Sequence, residues 1–128
     1  MIETKELTKR FILDKKQPPL TAVEGLTLRV EEGEVFGFLG PNGAGKTTTV
    51  RMLTSLISPT SGTARINGYQ SGKDDQAIRQ SVGILTETPG MYDRLSAEKN
   101  LTIFANLYNV KDVPGQVEKY LRMLGLWE

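Results

Sequence analysis

Apolar and polar positions alternate over residues 2–7 and 26–30, which predicts two β-strands at the start of the chain. The run from Asp14 to Pro19 combines charge with paired prolines and reads as the loop between them, giving antiparallel β structure. Glu31, Glu32 and Gly33 mark a turn. Residues 34–39, EVFGFL, are then almost continuously apolar, the pattern of a strand buried on both faces. A glycine-rich loop follows. From Lys46 the period changes, because Val50, Leu53, Leu56 and Ile57 recur at helical spacing until Ser58 and Pro59 stop them.

Farther along, residues 63–66 predict a strand, Asn67 and Gly68 a type I′ turn, residues 74–80 a short polar helix, and residues 82–85 another strand. Pro89 and Gly90 break the pattern. Ser96 is placed to N-cap a helix whose Leu101, Phe104, Leu107 and Tyr108 share one face, with Lys99 where a capping box would have Glu. A last helix from about Pro114 would turn Val117, Tyr120, Leu121 and Leu124 inward and stop at Gly125, leaving Trp127 as an apolar anchor. The chain carries no internal repeat. The fold class is α/β.

Composition narrows the chemistry. With 128 residues, 38% of them hydrophobic and 24% charged, the chain fits a single soluble domain. Lys+Arg number 16 against 15 Asp+Glu, so a net charge of +1 provides no cationic excess for nucleic acid or an anionic membrane. Nucleic acid is not an expected partner. The chain has no cysteine and no histidine, which excludes thiolate chemistry, disulfides, Cys/His zinc sites and imidazole acid–base catalysis. Charge begins at the third residue and no apolar run reaches the length of a leader or a membrane span, so a cytoplasmic location is expected.

The run GPNGAGKT, Gly40 to Thr47, matches the G-x-x-x-x-G-K-[ST] phosphate-loop pattern, and each fixed position has a physical reason. Gly40, Gly43 and Gly45 permit positive φ and leave the backbone bare, so that successive N–H groups of the loop, which also holds Pro41, Asn42 and Ala44, can surround phosphate oxygens. The helix that begins at Lys46 adds unpaired N–H groups and the positive end of its dipole. The Lys46 ammonium is placed for the β- and γ-phosphates, Thr47 for Mg²⁺ and Thr48 for a neighbouring phosphate. A random chain of this length matches the fixed positions roughly once in a hundred tries, and the flanking apolar strand and amphipathic helix make a surface turn a poorer explanation still.

From Phe36 to Thr48 the sequence closely resembles the Walker A segment of ATP-binding cassette (ABC) transporter ATPases. The likeness extends to PTSGT at Pro59 to Thr63, to Ile66, Asn67 and Gly68, and to PGMYDRLS at Pro89 to Ser96, which resembles the segment after the family's Q-loop. In style it is nearest to subunits that serve separate membrane subunits of the ABC-2 exporter kind. The resemblance implies a P-loop NTPase fold: an antiparallel β subdomain, the Walker A strand, loop and helix, and the start of a helical subdomain. It implies ATP and Mg²⁺ as cofactors, membrane-spanning transporter subunits and a second ATP-binding subunit in a head-to-tail dimer as partners, and a peripheral place at the membrane.

Two further positions carry over by resemblance. Phe11, at the end of LTKRF, falls where the family stacks an aromatic ring on adenine; the alternative is an apolar residue that closes the first strand. Glu87 falls at the Q-loop position, where the family has glutamine. A carboxylate there can ligate Mg²⁺ or orient water but cannot donate an amide N–H, and Thr86 stands where a Walker B aspartate would be if the segment were read that way. Asp93 and Arg94 either face membrane subunits or are simply solvated.

The family's Walker B pair, LSGGQ-type signature and switch histidine do not occur in these 128 residues, so the resemblance implies a partial nucleotide-binding domain over residues 1–128. Such a chain is expected to bind ATP without turning it over, and to leave the 34–39 strand exposed and prone to aggregation. A truncated, non-catalytic interaction module and another class of P-loop NTPase are the competing readings. A guanine-reading Asn-Lys-x-Asp run is absent.

Overall fold

The structure, a computed structural model, describes residues 1–85 and 90–127. Where the composition fits one domain, the chain divides into two compact units, Met1–Ile84 and Leu85–Glu128. In the first unit β1 (Ile2–Phe11), β2 (Leu20–Val30), β3 (Ser61–Ile66) and β4 (Tyr69–Gln70) form an antiparallel sheet in the order β2-β1-β3-β4. Two helices, α1 (Lys46–Leu53) and α2 (Asp75–Ser81), complete it.

The first two strands run farther than their alternation predicts because side chains bridge an irregular middle. Pairing shifts register between Thr4 and Leu7, and Glu6 (φ 48) with Gly25 (φ 59) marks the bulge. The buried Thr4 hydroxyl donates to the Leu26 carbonyl at 2.9 Å and accepts from the Leu28 N–H at 3.0 Å, replacing ladder bonds that the bulge removes. Leu7 thereby stays inward. β3 passes so close to the bulge that a Cβ at Gly62 would lie 2.2 Å from the Glu6 carbonyl oxygen, and only glycine fits.

Leu7, Ala64 and Ile66 of the sheet meet Met52 and Leu53 of α1 and Ile78 of α2 in one buried cluster. Each large side chain buried there contributes about 1.5–3 kcal/mol. The inward face of α1 is Thr49, Met52 and Leu53, whereas Val50 and Leu56, assigned inward by periodicity, are exposed. Val50 lies beside the Thr49–Met52–Leu53 face rather than on it, and Leu56 falls beyond the helix: Ser55 takes φ 53, and the Leu56 N–H bonds back to the Arg51 carbonyl at 2.9 Å in a Schellman closure. Asn67 (φ 50) and Gly68 (φ 85) make the predicted turn between β3 and β4.

Residues 34–39 differ from expectation. They join no ladder among the described residues, so the apolar run is irregular chain rather than a strand, with Val35 99% and Leu39 95% exposed. Its pattern encodes two-sided burial, and a strand exists only when a neighbour accepts its hydrogen bonds. Residues 82–85 likewise form no strand, although Val82 packs on the core.

In the second unit α3 (Ala97–Leu107) packs on α4 (Val113–Met123). Ser96 caps α3 as predicted, its hydroxyl accepting the Lys99 N–H at 3.3 Å. Asp112 caps α4, and Gly125 (φ 67) closes it. The buried residues of α4 are Val117 and Leu121, while Tyr120 and Leu124 are exposed; Leu107 of α3 and Tyr108 at its C-cap are exposed as well. Trp127 is half-buried, with the Arg122 guanidinium 5.7 Å from its ring centroid. Asp93 and Arg94 are solvent-exposed.

Candidate nucleotide-binding loop

The loop from Gly40 to Gly45 leads directly into α1. Gly43 and Gly45 take φ +84 and +83, and the Ala44 N–H closes a turn on the Pro41 carbonyl at 3.2 Å. Gly45 is the N-cap of α1 and has no side chain to cap with, so the N–H groups of Lys46, Thr47 and Thr48 have no carbonyl partner within the helix. The first intrahelical bond runs from the Thr49 N–H to the Gly45 carbonyl at 2.8 Å. No acidic residue occupies the first turn. Backbone donors, the helix dipole and one lysine therefore share a single sign of potential at the loop.

Lys46 folds back over this loop. Its ammonium donates to the Gly40 carbonyl at 2.6 Å and to the Pro41 carbonyl at 2.7 Å. Sequence reasoning places Lys46 by its expected ligand and does not anticipate these bonds. Thr47 is exposed and Thr48 half-buried, and among the described residues neither hydroxyl is engaged by a side chain or carbonyl. Asn42 and Gly43 stand exposed at the tip.

The loop is fixed against the sheet. A Cβ at Gly45 would lie 2.3 Å from the Ala22 carbonyl oxygen and 3.0 Å from Val23 Cγ2, so the bare glycine backbone seats the loop on β2. Val23 pairs with Lys9 on β1, and Leu20 pairs with Phe11. The end of β1 that carries Phe11 and the wall behind Gly45 thus belong to one strand pair. Phe11 is half-buried, with the Lys9 ammonium 5.2 Å from its ring centroid. Glu87 lies outside the described residues.

A surface depression lined by Glu3, Lys5, Thr63, Arg65 and Gln70 lies on the sheet and contains none of the loop residues. A Mg²⁺ ion bound at the loop would find the Thr47 hydroxyl, while no group of three or more acidic side chains positioned for a metal occurs among the described residues. That donor set fits an ion held mostly by phosphate oxygens and water, the habit of Mg²⁺ in phosphate sites.

A glycine-rich loop of the G-x-x-x-x-G-K-[ST] pattern between an apolar segment and a helix N-terminus defines the P-loop class of nucleotide-binding proteins. The chain belongs to the ABC transporter family, whose match covers residues 23–128. It is 39% identical over 126 residues to the bacitracin transport ATP-binding protein BcrA of Bacillus licheniformis, covering 98% of this chain and 39% of that protein. It is 38% identical over 130 residues to the ABC transporter ATP-binding protein NatA of Bacillus subtilis (strain 168), covering 98% of this chain and 52% of that protein. The chain thus spans about two-fifths to half the length of these relatives.

Solved structures agree. An ATP-binding subunit of an ABC transporter superposes with a TM-score of 0.75 at 29% identity, covering 98% of this chain and 51% of that one. A dimeric ATP-binding cassette in a post-hydrolysis state, bound to ADP and Pi, superposes with a TM-score of 0.78 at 21% identity, covering 96% of this chain and 56% of that one. The fold is the ABC ATPase fold, in its N-terminal part.

Proposed function

We propose that this chain is the nucleotide-binding portion of an ABC transporter ATP-binding component, and that Gly40, Pro41, Asn42, Gly43, Ala44, Gly45, Lys46, Thr47 and Thr48 hold the triphosphate of ATP. The observation that carries the reading is the bare helix N-terminus with Lys46 folded across it, bonded to the Gly40 and Pro41 carbonyls. On binding, the ammonium exchanges those carbonyls for phosphate oxygens, which accept a charge-assisted hydrogen bond more strongly. The loop N–H groups and the α1 dipole then face the remaining phosphate charge. Thr47 would hold Mg²⁺, which when bound supplies charge neutralisation between the terminal phosphates. Phe11 would stack on the adenine.

The substrate is ATP rather than inorganic phosphate, because the loop sits on the same strand pair as an aromatic side chain at the expected base position. Binding without turnover is the expected behaviour of these 128 residues, which contain no LSGGQ-type run and no histidine. By its resemblance to the Q-loop position, Glu87 is the candidate for a further Mg²⁺ or water contact. In the complete transporter the same site would power transport through membrane-spanning subunits, with a second ATP-binding subunit facing it head to tail and the whole peripheral to the membrane. No helix among the described residues is long and apolar enough to cross one.

Equilibrium titration with ATP, GTP and inorganic triphosphate, each with Mg²⁺, alongside a phosphate-release assay, tests the reading. ATP should bind more tightly than triphosphate, and phosphate release should stay at the uncatalysed level. A chain that ignores ATP would refute it.

A further inference from the structure

Lys9 and Phe11 stand two residues apart near the end of β1, and the Lys9 side chain has two partners. Its ammonium lies 5.2 Å from the Phe11 ring centroid and donates a 2.6 Å hydrogen bond to the Ser58 carbonyl, in the segment between α1 and β3. Cation–π contacts on long flexible lysines are ordinarily weak and mobile. Here the carbonyl restrains the cation, so it cannot leave the ring without losing a charge-assisted hydrogen bond. The same residue pairs across the sheet with Val23, part of the wall that seats Gly45 of the phosphate loop.

We propose that Lys9 is a positioning residue for base recognition: its ammonium, held by Ser58, covers one face of the Phe11 ring and presents the other face to the adenine. This rests on the reading of Phe11 as the stacking residue. Two physical effects follow from the placement. A ring held by a fixed cation loses less rotational freedom when the base docks, which lowers the cost of binding. The cation also draws π-electron density toward itself, so the opposite face repels an electron-rich purine less.

The proposal separates base from phosphate recognition. Lys9→Met keeps the length and apolar stem but removes the charge, and Lys9→Arg keeps a cation that can reach the same ring. Affinities for ATP–Mg²⁺ and for inorganic triphosphate–Mg²⁺ are measured by calorimetry on the 128-residue chain, with Phe11→Ala in parallel. Lys9→Met should weaken ATP about two- to fivefold. Triphosphate affinity should not change, Lys9→Arg should restore ATP binding, and Lys9→Met should have no added effect in the Phe11→Ala background. Unchanged ATP affinity in Lys9→Met, or equal losses for both ligands, overturns the assignment even when Phe11→Ala selectively weakens ATP. If Phe11→Ala leaves ATP affinity intact, the stacking reading itself falls and the Lys9 role falls with it.

Discussion

The Lys46 ammonium and the Gly40 carbonyl, six positions apart, are 2.6 Å from each other, so the loop's only cation closes the loop on its own backbone. Replacing it removes both this internal clasp and the charge that faces the terminal phosphates. Hydrogen bonds to charged groups contribute about 1.5–3 kcal/mol, so Lys46→Ala should weaken ATP binding by about 10- to 150-fold. Calorimetric titration of the variant checks this; an unaltered affinity would place the phosphates elsewhere.

Gly43 and Gly45 share a left-handed backbone but differ in surroundings. A Cβ at Gly43 meets nothing within 4 Å, whereas one at Gly45 lies 2.3 Å from the Ala22 carbonyl oxygen. Gly43→Ala should cost only the conformational penalty of about 1–2 kcal/mol. Gly45→Ala should cost more, because the loop must also lift off β2. Thermal unfolding of the two variants side by side decides it, and equal melting temperatures would mean that the loop is not seated as described.

The side chain of Asn100, buried in the second unit, accepts the Tyr92 N–H at 2.8 Å and donates to the carbonyls of Tyr92, Leu95 and Ser96 at 3.1–3.2 Å. It pins residues 92–96 to α3. Asn100→Ala removes these bonds, the one from the Tyr92 N–H included, and should destabilise this unit by about 1–3 kcal/mol. Hydrogen exchange at the Tyr92 amide is the direct readout; unchanged protection would show that the segment is held by other means.

Asp75 gives the chain an acid-side pH dependence. The Gly72 N–H, 2.7 Å from its Oδ1, holds the carboxyl below its ordinary range, against a smaller opposing effect of desolvation. A depressed carboxyl stabilises the fold fully above its unfolded value and loses that contribution as pH falls through the folded one. Denaturant unfolding of wild type and Asp75→Asn should therefore diverge at neutral pH and converge in acid. A gap that stays constant with pH would contradict the assignment.

Much of this was legible in the sequence because local signals and tertiary demands coincide. The positive φ of Gly43 and Gly45 follows from loop chemistry, the start of α1 at Lys46 from the change of period, Asn67 and Gly68 from turn geometry, and the cap at Ser96 from its hydroxyl; the structure shows each. Expectation and structure part where a pattern depends on distant partners. Residues 34–39 have the composition of a doubly buried strand, but no adjacent strand pairs with them among the described residues, and composition cannot supply one. Val50 and Leu56 fit a helical stripe, yet the buried face of α1 is centred on Thr49, Met52 and Leu53, and the Schellman closure at Ser55 turns the chain before Leu56 can join it. Asn100 and Lys9 were missed because a single polar residue carries no period. The only trace of Lys9's contact was its spacing from Phe11, a common arrangement on strands.

Backbone amide shifts during titration with ATP–Mg²⁺ test the central assignment most directly. The largest changes should fall on Gly43, Ala44, Gly45, Lys46, Thr47 and Thr48, with a smaller set around Phe11. Saturating shifts confined to other residues, or none at any ATP concentration, would contradict it.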